Sequence, residues 1–193
     1  MLIGEELGGK IFPTCCSVFE NSFVVIGDSV GQIRIFDYGR DKFNLRCRIV
    51  PEELKDDKVL SVRVLQKSHL MIMASDNLLR HYELIGNRLR LHQTYSGAIF
   101  EKELAQCSVS PDHKYLLAPS ESGKPALWDI FTGGQVSLDH LNLNLDGHLT
   151  TCDWHPIYNL VAISGFVPHC PVFVFGNILA PNQIQLIAAQ QTK

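Results

Sequence analysis

Residues Glu121 to Gln135 read ESGKPALWDIFTGGQ. A polar turn (ESGK) feeds a short apolar run (PALW), which stops at Asp129 and turns again at Thr132-Gly133-Gly134. Gly123 supplies the positive φ that a tight turn requires, and SPDHK (110–114) adds a Pro-Asp turn just upstream. The pattern is that of a strand which enters Trp-Asp and leaves at once through a glycine pair.

The same layout occurs four times. The passages are CCSVFENSFVVIGDSVGQIRIFD (15–37), VLSVRVLQKSHLMIMASDNLLRHYE (59–83), CSVSPDHKYLLAPSESGKPALWD (107–129) and TTCDWHPIYNLVAISGFVPHCPVFVF (150–175). Each holds an apolar strand, a turn, a second strand, another turn and a third strand closing on an aromatic. Those aromatics are Phe36, Tyr82, Trp128 and Phe175, spaced 46, 46 and 47 residues apart. QIRIF (32–36) alternates with period 2, while FVVI (23–26) and YLLA (115–118) are short continuous runs bounded by turns. Both patterns argue for strands. PEELKDD (51–57) could form one helical turn, and no segment carries a long apolar stripe of period 3.6. The fold class is all-β, built from a repeat.

Composition agrees. Of 193 residues, 46% are hydrophobic and 19% charged, which suits a packed core and not a disordered chain. A formal charge of −3 gives no electrostatic case for nucleic acid or an anionic membrane. Apolar runs such as PVFVF (171–175) are too short to cross a bilayer, and MLIGEELGGKIF lacks a basic n-region. A soluble, cytoplasmic protein is expected. The six cysteines are dispersed, several within strand-like runs, and are read as reduced thiols.

Chemistry-bearing constellations are sparse. CDWH (152–155) and PHCP (168–171) place two Cys and two His within reach of a zinc search. On a strand, however, Cys152 and His155 point to opposite faces, and a tetrahedral site needs convergent ligands. There is no G-x-S-x-G elbow, P-loop or His-Glu-x-x-His helix. RLRLH (88–92) alternates basic residues with Leu, as the polar face of a strand does. No catalytic, cofactor or metal residue is assigned, and the chain is read as a non-enzyme.

The repeats resemble those of the WD40 family of β-propellers, whose period is ~40–45 residues. That resemblance implies that Trp128-Asp129 ends a third strand, with TGGQVSL (132–138) leading to an outer one. It gives Asp76, six residues before Tyr82, the role of a turn aspartate bonded to a histidine and the strand-end aromatic. Gly147-His148 matches the dipeptide opening many such repeats. Val30 and Ser122 stand where Asp76 does, so two repeats lack that acid. Four degenerate repeats are expected at 13–50, 58–95, 104–140 and 147–180. Residues 1–12 would be an N-terminal segment or outer strand, and 181–193 a tail. Since such rings usually close with more blades, a partial or open propeller is expected, a fragment or short isoform completed by missing blades or another copy.

The last two repeats, including the His155-Pro156 turn, NLVAISGF and the Pro-led PVFVF, also resemble the closing repeats of the jouberin family. The resemblance runs over about residues 58 to 177. It implies a scaffold organising the basal body and transition zone of the cilium through protein contacts. That family also carries coiled-coil segments and an SH3 domain, which this sequence does not display. Expected contacts lie on loops around Lys42 and Asn44, Asn87 and Arg88, and Phe166, Val167 and His169. Partners are other proteins, unidentified. The alternatives are an adaptor in a ubiquitin ligase or trafficking complex, or a metal-dependent hydrolase on the same frame.

Overall fold

The computed structural model describes residues 11–19, 23–38, 42–65, 68–100, 105–138, 146–166, 172–176 and 185–188. The chain divides into two compact units, Met1–Ser96 and Gly97–Lys193. In the first, β1 (Pro13–Phe19), β2 (Phe23–Asp28), β3 (Ile33–Tyr38) and β4 (Phe43–Ile49) form one antiparallel meander. A second comprises β5 (Val59–Val64), β6 (His69–Ala74), β7 (Leu79–Ile85) and β8 (Arg88–Tyr95). The other unit repeats the plan with β9 (Ser108–Val109), β10 (Tyr115–Ala118), β11 (Ala126–Asp129) and β12 (Gln135–Val136). Its second sheet comprises β13 (His148–Trp154), β14 (Leu160–Phe166), β15 (Phe173–Gly176) and β16 (Gln185–Ala188). Among the described residues the helical content is one 3-10 turn, Glu52–Leu54, within the PEELKDD stretch.

Segment 181–193, expected as a tail, contributes β16, which pairs with β15 from Phe173↔Ala188 to Gly176↔Gln185. The physical reason is the edge: without a fourth strand the backbone groups of β15 would stand unpaired. Residues 1–10 lie outside the described residues.

The 46-residue period is a backbone period as well. Positive φ recurs at Gly31 (80°), Asn77 (65°) and Gly123 (79°), each in the turn between second and third strands. Bulges recur in the first strands, at Pro13/Cys15 in β1, Val59/Ser61 in β5 and Leu149/Thr151 in β13. Each lets its strand bend locally without losing the pairing on either side.

First strands of neighbouring sheets lie alongside one another. In the first unit, Thr14 Oγ1 donates to the carbonyls of Gly27 and Val59, and Ser17 Oγ accepts from Val64 N–H at 3.3 Å. The core between the two sheets includes Val25, Ile33, Ile35, Leu54, Val59, Leu70, Ile72 and Tyr82. In the second unit, Ser108 Oγ donates to Asp153 and accepts from Trp154 N–H at 2.9 Å. The core there gathers Leu117, Leu149, Cys152, Val161, Ile163 and Phe175. Cys15, Cys16, Cys47, Cys107 and Cys152 are thiols.

Gly31 is a site of contact as well as of conformation. A Cβ there would come within 1.6 Å of the Leu54 carbonyl oxygen, on the 3-10 turn that joins the first two sheets. Asn77 adopts the same backbone geometry with a side chain, so φ alone does not demand glycine in this turn. Gly31→Asn is expected to destabilise the chain by ~2–3 kcal/mol, whereas Asn77→Gly changes it by less than ~1 kcal/mol. Urea denaturation of both variants checks this. Equal effects at the two positions would mean the close approach to Leu54 is not what requires glycine.

Candidate functional site

Trp128 and Asp129 have separate structural jobs. Trp128 is buried, at 1% exposure, on β11. The Asp129 carboxylate accepts N–H bonds from Phe131 at 2.9 Å and Thr132 at 2.8 Å, and Gly133 N–H closes onto its carbonyl at 2.9 Å. The bond from Thr132 is the main reason its pKa lies below the usual aspartate range. This turn projects its own middle residue, so Phe131 is 96% exposed.

Phe131 has company. Ile130 N–H bonds the Lys114 carbonyl at 2.8 Å, so the β9–β10 and β11–β12 turns share one end of their sheet. A parallel bridge, Gln106↔Thr151, sets β9 beside β13. The β13–β14 turn therefore lies at that same end of the second unit. It carries Ile157 and Tyr158, 74% and 62% exposed. His155 organises the turn: its Nδ1 accepts from Ile157 N–H at 3.1 Å and Tyr158 N–H at 3.0 Å, and its ring lies 4.8 Å from that of Tyr158. Three large apolar side chains thus stand in solvent at one end of two adjacent sheets, an arrangement suited to protein contact.

The residues expected from sequence fall in several places. Lys42 and Asn44 are exposed at the start of β4, and Asn87 and Arg88 at the β7–β8 turn. Because β1 and β5 run alongside in the same sense, these four lie at one end of the first unit. Phe166 is 66% exposed but ends β14, opposite His148, at the far end from Ile157 and Tyr158. Val167 and His169 lie outside the described residues. Gly147 precedes β13 with φ 146°, and His148 opens that strand. Phe131, Ile157 and Tyr158 were not picked out by sequence reasoning, since an apolar pair beside a turn reads as the end of a strand.

Asp76 departs from its expected role. Its carboxylate takes Leu78 N–H at 3.2 Å and a two-nitrogen contact with Arg80, one bond measuring 3.1 Å. The hydroxyl of Tyr82 interacts with Glu53 instead. Arg80, at the start of β7, is nearer to the turn than Tyr82 is, and its long side chain reaches back to the carboxylate. The first repeat, with Val30 at the place of Asp76, carries an acid two positions earlier. Asp28 takes the N–H groups of Val30 at 3.0 Å and Gln32 at 2.9 Å and sits 3.5 Å from Arg34.

The CDWH pair diverges. Cys152 Sγ is buried and donates to the carbonyls of Gln106 and Leu117, while His155 serves the turn described above. Cys170 and His169 lie outside the described residues. A different cluster stands on the second sheet. His69 on β6, His81 on β7 and His92 on β8 have ring centroids 5.0, 5.7 and 5.4 Å apart. His69 Nδ1 and His81 Nε2 share a hydrogen bond of 2.9 Å, and His92 Nε2 contacts Glu83 at 3.0 Å. Burial first, then the two neighbouring imidazoles, lowers the His81 pKa to about 4. Among the described residues no three His, Cys, Asp or Glu groups are placed to hold a metal ion.

No family model matches the chain. Jouberin of Mus musculus is 23% identical over 170 residues, covering 83% of this chain and 16% of the mouse protein. Jouberin of Rattus norvegicus is 24% identical over the same shares. The chain thus spans 16% of the length of these curated relatives. Among solved structures, the β-propeller domain of Cps50 (Swd1) from Myceliophteria thermophila matches with a TM-score of 0.67 at 15% identity. That match covers 84% of this chain and 50% of the other. The fold is an all-β, WD40-type β-propeller fold. Among the described residues no helix is long and apolar enough to cross a membrane.

Proposed function

We propose that this chain is a non-enzymatic WD40 scaffold that binds other proteins, and that it works in jouberin-like assemblies at the basal body and transition zone of the cilium. The observation that carries the reading is the alignment with the two jouberins, 170 residues long and so far longer than one repeat. The contact surface is the end of the second unit bearing Phe131, Ile157 and Tyr158, all strongly exposed. A charge of −3 argues against nucleic acid as the partner. Because the chain matches 50% of a solved propeller domain, further blades from a longer chain, a partner or a second copy complete the ring.

The test is proximity labelling in ciliated cells with the whole chain fused to a biotin ligase. Labelled proteins should concentrate at the base of the cilium, and Phe131→Ser with Tyr158→Ser should lose at least half of them. Stability should stay within ~0.5 kcal/mol per substitution, since both side chains are solvated. Labelling as diffuse as that of the ligase alone would overturn the ciliary reading. Enrichment of ubiquitin-ligase or vesicle-traffic subunits instead would move the scaffold to those assemblies. Loss of nothing in the double variant would remove the proposed surface while leaving the location intact.

A further inference from the structure

One face of the second sheet carries side chains that the other sheets do not. Leu70, Ile72, Tyr82 and Leu84 belong to the core shared with the first sheet. His69 and Met71 on β6, and His81 and Glu83 on β7, alternate with them and take the opposite face. In register with His69 and His81, the first sheet has Phe23 and Ile35, the third Tyr115 and Leu127, and the fourth Leu160 and Val174. The sheet plan thus asks for aliphatic or aromatic side chains where the second sheet sets imidazoles.

This group can take up only limited positive charge. His69 Nδ1 and His81 Nε2 share a hydrogen bond of 2.9 Å, which one nitrogen donates and the other, bare of a proton, accepts. The pair can therefore hold one added proton but not two. His92 behaves differently. A proton on its Nε2 strengthens the 3.0 Å contact with Glu83 and sets a cation 5.4 Å from the His81 ring and 5.7 Å from that of His69. The other charges on this face are Arg63 of β5, opposite Met71, and Arg88 and Arg90 of β8, opposite Ile85 and Glu83. Glu83 is the sole acid in the four strands, and Arg90 already engages it. One carboxylate thus answers three imidazoles and three guanidiniums.

We propose that His69, His81 and His92 form an acid-sensitive clasp, which holds the outer strand β8 onto β7 and β6 while the imidazoles are neutral and releases β8 in mildly acidic solution. The direction follows from linkage. Burial first, then His69 and His92, lowers the His81 pKa from 6.5 to about 4 in the closed sheet. When β8 leaves, His81 is freed of His92 and opened to water. Between those two values the open form therefore binds a proton that the closed form does not. The closed form has its full stability above pH 6.5 and loses it as pH falls towards about 4. β8 is the strand to leave, because it is laddered on one side alone and its bulge opposite His81/Tyr82 interrupts that ladder. The clasp lies within one sheet and does not depend on the ciliary assignment.

The test follows the whole chain from about pH 7.5 to about pH 4 by hydrogen exchange and by imidazole nitrogen NMR. The comparison strand is β4, the outer strand of the first sheet, which has the same bulge with Arg46 where β8 has His92. Amides of β8 should lose about tenfold or more in protection factor relative to those of β4, since one pKa unit is worth about tenfold and His81 is only half-buried. The His81 ring should stay neutral where a free imidazole is half protonated, and should titrate together with the β8 amides. His69→Phe with His81→Ile, the residues of the first sheet, should abolish the loss specific to β8. Should that double variant fail to fold, the measurements on the unaltered chain decide. Equal protection of β8 and β4 throughout, a His81 ring titrating at the free value, or a β8 loss that persists in the folded double variant would each overturn the clasp.

Discussion

Tyr82→Ala is expected to cost the first unit ~3–5 kcal/mol, the range for deleting a fully buried aromatic ring. Tyr82 has 0% exposure and sits in one cluster with Val25, Ile33 and Ile35 of the first sheet and Leu70 and Ile72 of its own. It therefore belongs to the apolar core that joins the two sheets. A cavity left there cannot collapse easily, since β-sheets on both sides are held by their own ladders. The hydroxyl matters less. It interacts with Glu53, and burial, followed by that nearby carboxylate, raises its pKa. Tyr82→Phe should thus cost no more than ~1.5 kcal/mol, the usual net worth of one hydrogen bond. Both tryptophans, Trp128 and Trp154, belong to the other unit, so the transition must be followed by far-UV circular dichroism or hydrogen exchange of β5–β8. If alanine and phenylalanine behaved alike, the ring would not be holding the two sheets.

The same residue marks how far sequence reading reached. The aromatics at 36, 82, 128 and 175 were legible because they recur at intervals of 46, 46 and 47 on third strands, though β3 and β7 run on past Phe36 and Tyr82 to Tyr38 and Ile85. Gly123 was legible because ESGK needs a residue with positive φ, and Gly123 has one. The outer strand β16 was not: only four residues pair, and the run QLIA follows a turn-like stretch that reads as a tail. The histidine cluster was invisible for a different reason. His69, His81 and His92 stand on three strands, and the bulge between His81 and Tyr82 decides what faces what. No spacing rule contains that bulge. Phe131, Ile157 and Tyr158 were missed because exposure is a property of turns in space. An apolar residue next to Asp129 or His155 looks the same on paper whether it faces the core or water.

Asp28→Ala is expected to be as damaging as the loss of Tyr82, again by ~3–5 kcal/mol, because it leaves a buried guanidinium without its carboxylate. The side chains of Arg34 and Asp28 have exposures of 3% and 1%, and the carboxylate also anchors the turn through Val30 and Gln32. Three sheets solve this corner in three ways. The second moves the acid two residues along, to Asp76, and keeps the arginine as Arg80. The third discards both charges: Ser120 stands in register with Asp28, Ala126 with Arg34, and Ser120 Oγ takes Ser122 N–H at 3.3 Å where Asp28 takes that of Val30. The corner therefore needs an acceptor for the turn, but it needs the acid only while the arginine is present. Arg34→Met alone should cost ~3–5 kcal/mol by stranding Asp28, whereas Asp28→Ser with Arg34→Met should cost much less than the two single changes added together. A coupling of ~2 kcal/mol or more in that cycle, measured by urea denaturation, is the expected result. Asp28→Asn separates the two duties, since it keeps the oxygen that holds the turn and loses the charge; it should fall between the unaltered chain and Asp28→Ala. Additive single effects would mean that the pair is not a unit and that Asp28 acts through the turn alone.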